Sequence, residues 1–447
     1  MLKMRFEDLI KYIKENFKEK PSIHFIDEDG FPIAYAVDVE ISHEIIIKTP
    51  KYLNIKDKEV NLVFNHITEI PSGGYTDRRY IVIRGKVQDI EGNLVLKPTK
   101  YYNWDEKQLP FVSYCEKNVN RAKEYLENLS KLKGKPVKPK IGGFWLIFKT
   151  IRLPFLIASI IPALIGIMIA INEGFIDIIS AFLIVAGVAI IHAALNVAND
   201  YHDHITGADV INLTPTPFSG GSRVIQHGLI EPSTSFKIFS SLYIAGIAIG
   251  LYFTLLRGIW VLIILSIGVF ISYFYSAKPL RFAEKGLGEI MVGIGFGPII
   301  TLGSYVAMTG KLSLIPLLVS IPIGTLIALI LYVNEIPDRE WDIKAGKLTL
   351  VARMKKEKIA KGYLIGIIIT YLSYVLCLFL RALPIYSLLV LALLPLAIKV
   401  YKGIKSGYHD PYSMIPVCAT HISFYIYFAL LVLLSLILNL MSVNLPL

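Results

Sequence analysis

Asn196-Val-Ala-Asn199-Asp200-Tyr201-His-Asp203-His-Ile-Thr-Gly207-Ala-Asp209 is the stretch whose reading decides the fold. It follows directly on an apolar run, 175–198, so three carboxylates and two amides stand where a hydrophobic helix leaves a bilayer. Ionisable groups at that depth are costly and face a cavity or a partner. On a helix, Asn199 and Asp203 are one turn apart on a single face, with Asn196 a turn earlier. Such a face offers oxygen ligands to a hard cation. A second acidic stretch, Asn334-Glu-Ile-Pro337-Asp338-Arg339-Glu-Trp-Asp342, ends another apolar run and repeats the carboxylate spacing. Two matching faces suit Mg²⁺ ions shared with a phosphorylated substrate.

Composition supports the membrane reading. Of 447 residues 54% are hydrophobic and the mean hydropathy is +0.55, which excludes an ordinary soluble protein. The net charge of +11 is spread over segments flanking apolar runs, without the basic and aromatic stripe of a nucleic-acid binder, so no nucleic-acid partner is expected. Cys115, Cys377 and Cys418 have neither metal-ligand spacing nor the pattern of a disulfide framework. The first residues are charged and amphipathic and show no signal peptide, which predicts a first domain that stays in the cytoplasm.

Outward from the acidic stretches the chain divides. Residues 5–19 carry apolar positions at helical spacing. From 21 to 100 the period changes to two, in short β-rich runs broken by turn signals, as expected of a small, mostly antiparallel barrel. A charged helix is expected at 116–132, followed by a basic Pro/Gly linker at 134–143. The expected organisation is therefore a soluble β-barrel domain over 1–133, the linker, and a membrane domain over 144–447.

That membrane domain contains nine apolar segments of spanning length: roughly 150–171, 176–198, 236–256, 258–276, 287–308, 313–334, 359–380, 383–401 and 417–440. The expected fold is an all-α bundle of nine transmembrane helices behind the β domain. Loops after even-numbered segments carry sixteen Lys and Arg, whereas the odd-numbered loops and the tail carry three: Arg257, Lys311 and Arg381. The positive-inside rule then places both acidic stretches and the β domain on the cytoplasmic side of the cell membrane.

Two Mg²⁺ ions held there could clamp a diphosphate and make it a good leaving group. The loop Pro215-Thr-Pro-Phe-Ser-Gly-Gly-Ser-Arg223 supplies backbone N–H groups and a fixed cation for phosphate oxygens. Lys278 and Lys347 are further cations on that side, where anchoring at the membrane surface is their plainer role. Tyr201, Tyr273 and Tyr275 could stabilise cationic character through their ring faces, or simply sit in an aromatic belt. Glu289, near the start of the fifth segment, could orient an acceptor hydroxyl or cap its helix. His192 and His421 read as core histidines with satisfied hydrogen bonds.

The stretch Asn199-Asp-Tyr-His-Asp203-His-Ile-Thr-Gly207-Ala-Asp209 resembles the first aspartate-rich motif of the UbiA-type intramembrane prenyltransferases. The closest likeness is to the branch that prenylates 1,4-dihydroxy-2-naphthoate in menaquinone synthesis. Ser219-Gly-Gly-Ser-Arg-Val-Ile, Lys278-Pro279, Gly286-Leu-Gly-Glu289-Ile, Gly297-Pro-Ile-Ile-Thr-Leu-Gly-Ser-Tyr305 and Asp342-Ile-Lys-Ala-Gly-Lys347-Leu-Thr-Leu resemble that branch too. The resemblance covers about 145–440 and implies transfer of a prenyl group from a polyprenyl diphosphate to an aromatic ring. It implies Asn199, Asp203, Asp338 and Asp342 as Mg²⁺ ligands, and Asp200 and Asp209 as groups pairing with cations. Asn196 and Asn334 then lie on the substrate face. Pro337 stands where related enzymes often have Arg, and Arg339 is the expected replacement. The N-terminal region, about 5–130, is similar to the FMN-binding split barrel of the pyridoxamine-phosphate-oxidase type, which implies FMN and a domain able to dimerise.

Two other classes fit parts of the pattern. A transporter also carries intramembrane carboxylates, but near mid-membrane within broken helices, whereas these lie at helix ends. A membrane-anchored flavin oxidoreductase would use only the β domain. The sequence leaves the acceptor open among dihydroxynaphthoate, hydroxybenzoate, homogentisate and glycerol-phosphate lipids, and leaves the prenyl chain length open.

Overall fold

The computed structural model describes residues 6–42, 44–50, 53–69, 75–109, 111–135, 142–207 and 216–444. Asp209, the start of the 215–223 loop and the middle of the linker lie outside the described residues. The chain divides into two compact units, 1–115 and 116–447. The division falls inside helix α2 (Phe111–Lys133), which starts ahead of the helix expected at 116–132.

In the first unit, α1 (Phe6–Asn16) buries Leu9 and Ile13 against a seven-stranded antiparallel sheet. The strands are β1 (Ser22–Ile26), β2 (Pro32–Ala36), β3 (Asp38–Ile41), β4 (Ile45–Lys48), β5 (Glu59–Glu69), β6 (Tyr75–Ile90) and β7 (Asn93–Asp105), ordered β2-β1-β5-β6-β7-β4-β3. The two ends of that order, β2 and β3, are separated by Val37 alone, so the sheet must curl until one bent stretch closes it. Alternation sets the inner face: Val60, Leu62 and Phe64 of β5 meet Ile81 and Ile83 of β6 in one core. Strand β7 runs on to Asp105, beyond residue 100, where the two-residue period read from the sequence stops. Its residues Tyr101, Tyr102 and Trp104, all strand formers, continue the pairing with β6.

The second unit is helical. Among the described residues eight of its helices are long and apolar enough to cross a membrane: α3 (Leu153–Asn172), α4 (Ile178–Thr206), α5 (Pro232–Arg257), α7 (Gly288–Thr309), α8 (Leu314–Glu335), α9 (Lys356–Phe379), α10 (Ile385–Gly407) and α11 (Tyr412–Ser442). Between α5 and α7 lies α6 (Ile259–Phe274), apolar but only 16 residues long. These are the nine expected segments, in the expected order.

Local chemistry fixes where the helices stop. Asp177 caps α4, its carboxylate accepting from the Ser180 N–H at 3.0 Å, and Gly207, at φ 81°, ends it. Two close crossings set the bundle. A Cβ on Gly166 of α3 would lie 2.1 Å from the Thr301 carbonyl oxygen of α7. One on Gly324 of α8 would lie 2.3 Å from the Gly293 carbonyl oxygen of the same α7. Only glycine lets these backbones meet. Between the two crossings α7 carries a π-helical turn, Gly295–Ile299, containing Pro298. That turn presents Phe296 to the cavities described next.

Candidate active site

The last turns of α4 separate the first motif by direction. Asp200, 2% exposed, accepts from the Arg152 guanidinium at 2.6 Å and from the Ser222 N–H at 3.2 Å. Asn196 Nδ2 donates to the Ile151 carbonyl at 2.9 Å. Both thus fasten α4 to the chain entering α3. Asn199 and Asp203, on the adjoining face, are joined by a 3.2 Å hydrogen bond from Asn199 Nδ2 to Asp203 Oδ2 and turn to a cavity.

The second motif faces them. Asn334 and Glu335 close α8, and Asp338 precedes a short helix, Arg339–Ala345, that carries Asp342. Asp338 Oδ2 accepts from the Gly220 N–H at 2.9 Å, so the glycine loop and the second motif are in contact. Lys347 Nζ lies 3.7 Å from Asp203 Oδ2, and the Lys347 N–H donates to the Asp342 carbonyl at 2.8 Å. One cation therefore ties the two motifs together. Burial would lower the Lys347 pKa, but Asp203 and Asp342 outweigh it and hold the ammonium well above its ordinary value. Burial pushes the Asp342 carboxyl up to about 7; Lys347 opposes this, and Asp338 and Asp203 add to it.

These groups line a cavity whose polar wall includes Asn196, Asn199, Asp203, Asn334, Glu335, Asp338, Asp342 and Lys347 and whose remaining wall is largely apolar. A second, almost wholly apolar chamber lies among α4, α5, α6 and α7. The two share His192, Leu195, Tyr275, Val292 and Phe296 as walls. The result is a polar cavity adjoining an apolar chamber across those shared walls.

Of the other expected residues, Arg339, Tyr201, Lys278, Arg223 and Glu289 do not line this cavity. Arg339 donates to the carbonyls of Val351 at 3.2 Å and Met354 at 2.9 Å, which braces the loop after the second motif and does not put the guanidinium where Pro337 replaces the usual Arg. Tyr201 packs against Phe236 and Phe239, with ring centroids 5.8 and 5.5 Å away. Lys278 is exposed. Arg223 is buried at a left-handed φ of 57°, and its charge is felt by Lys149 and His227. Lys149 is lowered chiefly by burial, against the pull of Asp200, so a basic cluster surrounds that aspartate. Glu289 is buried against Glu335, with the backbone N–H groups of Leu350 and of Glu289 itself also acting on its carboxyl. His192 bonds Ser159 Oγ at 2.9 Å and His421 bonds Tyr363 at 3.1 Å, the satisfied core positions expected of them.

Sequence reasoning missed Arg152 and Glu335. Arg152 stands alone before Leu153-Pro154 at the entrance to an apolar run, a place that reads as membrane anchoring. Glu335 lies inside the second motif but off the Asp338 and Asp342 spacing.

A polar site of paired carboxylates and amides beside an apolar chamber, among helices long and apolar enough to cross a membrane, is the arrangement of an intramembrane transferase for an amphipathic substrate. Residues 159–410 match the UbiA prenyltransferase family, and the chain belongs to that family. It is a prenyltransferase and a multi-pass membrane protein. It is 30% identical over 219 residues to the 1,4-dihydroxy-2-naphthoate octaprenyltransferase of Bacillus subtilis, covering 49% of this chain and 68% of that one. It is 27% identical over 291 residues to the 2-carboxy-1,4-naphthoquinone phytyltransferase of Synechocystis, covering 63% and 88%. Among solved structures it is similar to a digeranylgeranylglyceryl phosphate synthase, at 23% identity and a TM-score of 0.49, covering 66% of this chain and 99% of that one.

Proposed function

We propose that the protein transfers a polyprenyl group from a polyprenyl diphosphate to an aromatic acceptor of the 1,4-dihydroxy-2-naphthoate kind, with Mg²⁺ as cofactor and with both motifs on the cytoplasmic side. The observation that carries this reading is a carboxylate- and amide-lined cavity that adjoins an apolar chamber across the shared walls His192, Tyr275 and Phe296.

The residues fit Mg²⁺. Asn199 Oδ1 and Asn334 Oδ1 are buried oxygens with no hydrogen-bond partner, and Asp203, Asp338 and Asp342 share their cavity. Among the described residues no three His, Cys, Asp or Glu side chains converge on one point. That matches an ion bound through one or two carboxylates, with water and substrate phosphates completing its shell. When bound, Mg²⁺ supplies charge neutralisation to the departing diphosphate.

The chain's own groups do the rest. Lys347 and the Gly220 N–H place positive potential beside both motifs. The apolar chamber takes the tail and keeps water from the allylic carbon once its C–O bond breaks. The ring attacks that carbon, a C–C bond forms, and the ring loses a proton or carbon dioxide to regain aromaticity. Nothing described in the N-terminal barrel calls for FMN, and this reading assigns it none.

Purified protein in lipid nanodiscs, given Mg²⁺, a polyprenyl diphosphate and dihydroxynaphthoate, is expected to release diphosphate and form a prenylated ring detectable by mass spectrometry. Release in Asp203→Ala or Asp342→Ala at the wild-type rate would overturn the assignment.

A further inference from the structure

We infer that the helix Gly143–Thr150 lies in the headgroup boundary of an anionic bilayer, and that its seating there steadies the loop of residues 219–230, which reaches both acidic motifs. Only the consequence for turnover rests on the function proposed above.

The helix has one face for protein. Leu146 packs on Val224, Ile225 and Ile230, and Thr150, 4% exposed, donates from Oγ1 to the Leu146 carbonyl at 2.6 Å. Phe144 and Phe148, each two residues from Leu146, stand on the opposite side. Phe144, Trp145 and Ile147 are 66%, 65% and 60% exposed. The rings of Phe144, Trp145 and Phe148 touch one another, with centroids between 5.5 and 6.1 Å apart. Lys149 is the one charged residue of the eight. A helix apolar on its protein face and on the face opposite has no side made for water.

Position and charge name what covers it. Thr150 is three residues from Leu153, where the membrane-spanning α3 begins, and three residues reach about 10 Å at most. The exposed rings are therefore held at headgroup level, the depth that suits Trp and Phe on an interfacial helix. Between Glu127 and Glu173 the sequence carries seven Lys and Arg and no carboxylate. Of these, Lys131, Lys133, Lys135 and Lys149 are exposed. A run of one sign beside an interfacial helix is matched by anionic headgroups.

The protein face carries the effect inward. Val224 lies two residues from Ser222, whose N–H holds Asp200 at 3.2 Å, and four from Gly220, whose N–H holds Asp338 at 2.9 Å. Arg152, two residues beyond the helix, grips Asp200 from the other side. Whatever fixes the helix thus fixes the loop between the motifs.

The test uses the full chain in nanodiscs of phosphatidylcholine brominated on its acyl chains near the headgroup, with and without phosphatidylglycerol. Quenching of tryptophan emission is expected to be larger in wild type than in Trp145→Phe, a difference that isolates Trp145 from the other three tryptophans. Hydrogen exchange over 219–230 should slow about fivefold on adding phosphatidylglycerol, the effect of one cation at an anionic surface, and diphosphate release should quicken with it. The triple variant Lys131→Gln, Lys133→Gln, Lys135→Gln should flatten both responses. Leu146→Ala should keep the Trp145 quenching and lose the slowed exchange; if it fails to fold, the lysine variant, changed only at exposed positions, still decides. Equal quenching in wild type and Trp145→Phe, as when a second copy or another protein covers the helix, overturns the inference. So does exchange indifferent to phosphatidylglycerol while Trp145 is quenched. Absence of diphosphate release in every bilayer, with quenching and exchange as expected, would instead sink the prenyl-transfer reading and leave this inference standing.

Discussion

Arg152 and Asp200 form an ion pair at 2.6 Å, between the residue that precedes α3 and the last turns of α4, with the carboxylate 3% exposed and the guanidinium 25%. The aspartate beside the Asn199 and Asp203 face thus serves the architecture around it, and its second oxygen atom has no hydrogen-bond partner. Asp200→Asn is expected to weaken the fold by about 1–3 kcal/mol, because Arg152 loses its counter-charge while still partly reached by water. The Mg²⁺ concentration for half-maximal rate should stay near wild type. Thermal unfolding in detergent and an Mg²⁺ titration of diphosphate release check both halves. A large rise in the Mg²⁺ requirement with unchanged stability would make Asp200 a ligand.

Asp203→Asn and Asp342→Asn should behave in the opposite way. Both face the shared cavity, and Lys347 lies 3.7 Å from Asp203. Loss of either charge is expected to lower kcat about 10²–10³-fold, the scale seen when one preorganised electrostatic group at a transition state is removed. Thermal stability of Asp342→Asn should hold or rise, since it relieves repulsion among clustered carboxylates, whereas Asp203→Asn also takes from Lys347 its nearest counter-charge and should lose some stability. Steady-state kinetics at saturating Mg²⁺ beside melting curves distinguish this from general unfolding.

Burial raises the Asp342 carboxyl to about 7, against the opposing effect of Lys347 and with Asp338 and Asp203 adding to the rise. The sign follows from that direction. A carboxyl raised on folding stabilises the metal-free protein fully below its unfolded value, and that contribution is lost as pH rises through about 7. Mg²⁺ needs the carboxylate, so below pH 7 the ion must displace a proton. The half-maximal Mg²⁺ concentration is expected to fall about tenfold per pH unit up to about 7 and then level off. In Asp342→Asn the slope should vanish, which an Mg²⁺ titration from pH 5.5 to 8.5 would reveal.

The membrane fold was legible because its signals are local and redundant: nine apolar runs, loop charge, and glycines or caps at their ends. Asn199, Asp203, Asp338 and Asp342 were legible for the same reason, since a four-residue spacing fixes one helix face without tertiary information. Arg152 was not, because its role exists only through a contact across 48 residues. Arg339 and Tyr201 mislead for the converse reason: the sequence places them beside the motifs, but the backbone carbonyls of Val351 and Met354 and the rings of Phe236 and Phe239 take them up. In the β domain, alternation located the strands but not the end of β7, because aromatic residues at 101–104 fit a strand or a loop until β6 is there to pair with them.

The α3–α7 crossing offers a test of architecture independent of chemistry. A methyl group at Gly166 would meet the Thr301 carbonyl oxygen at 2.1 Å, and backbone cannot rotate away as a side chain can. Gly166→Ala is therefore expected to destabilise the bundle by about 1–3 kcal/mol. Gly143→Ala meets nothing within 4 Å and should be neutral or slightly stabilising. Paired melting curves in one detergent decide it, and equal midpoints for the two variants would refute the close crossing.

Glu289 and Glu335 are buried against each other, and neither forms an ion pair among the described residues. Two adjacent carboxyls taken out of water are costly, and an apolar or amide pair of the same shape would suit the fold better. A costly arrangement beside a cavity that Glu335 lines points to use rather than support. The ring that attacks the prenyl carbon must give up its hydroxyl or ring proton, and Glu335, on the cavity wall with Glu289 behind it, is the carboxyl that this prediction assigns to receive it. Glu289→Gln is accordingly expected to raise thermal stability and to lower kcat about 10–100-fold, the range of general acid–base assistance, with the KM for the prenyl diphosphate unchanged. Glu335→Gln, on the cavity wall itself, should show the larger loss and a shifted pH–rate profile. A drop in stability with kcat intact would return both residues to an ordinary packing role, and a rise in the donor KM alone would place them in binding rather than proton transfer.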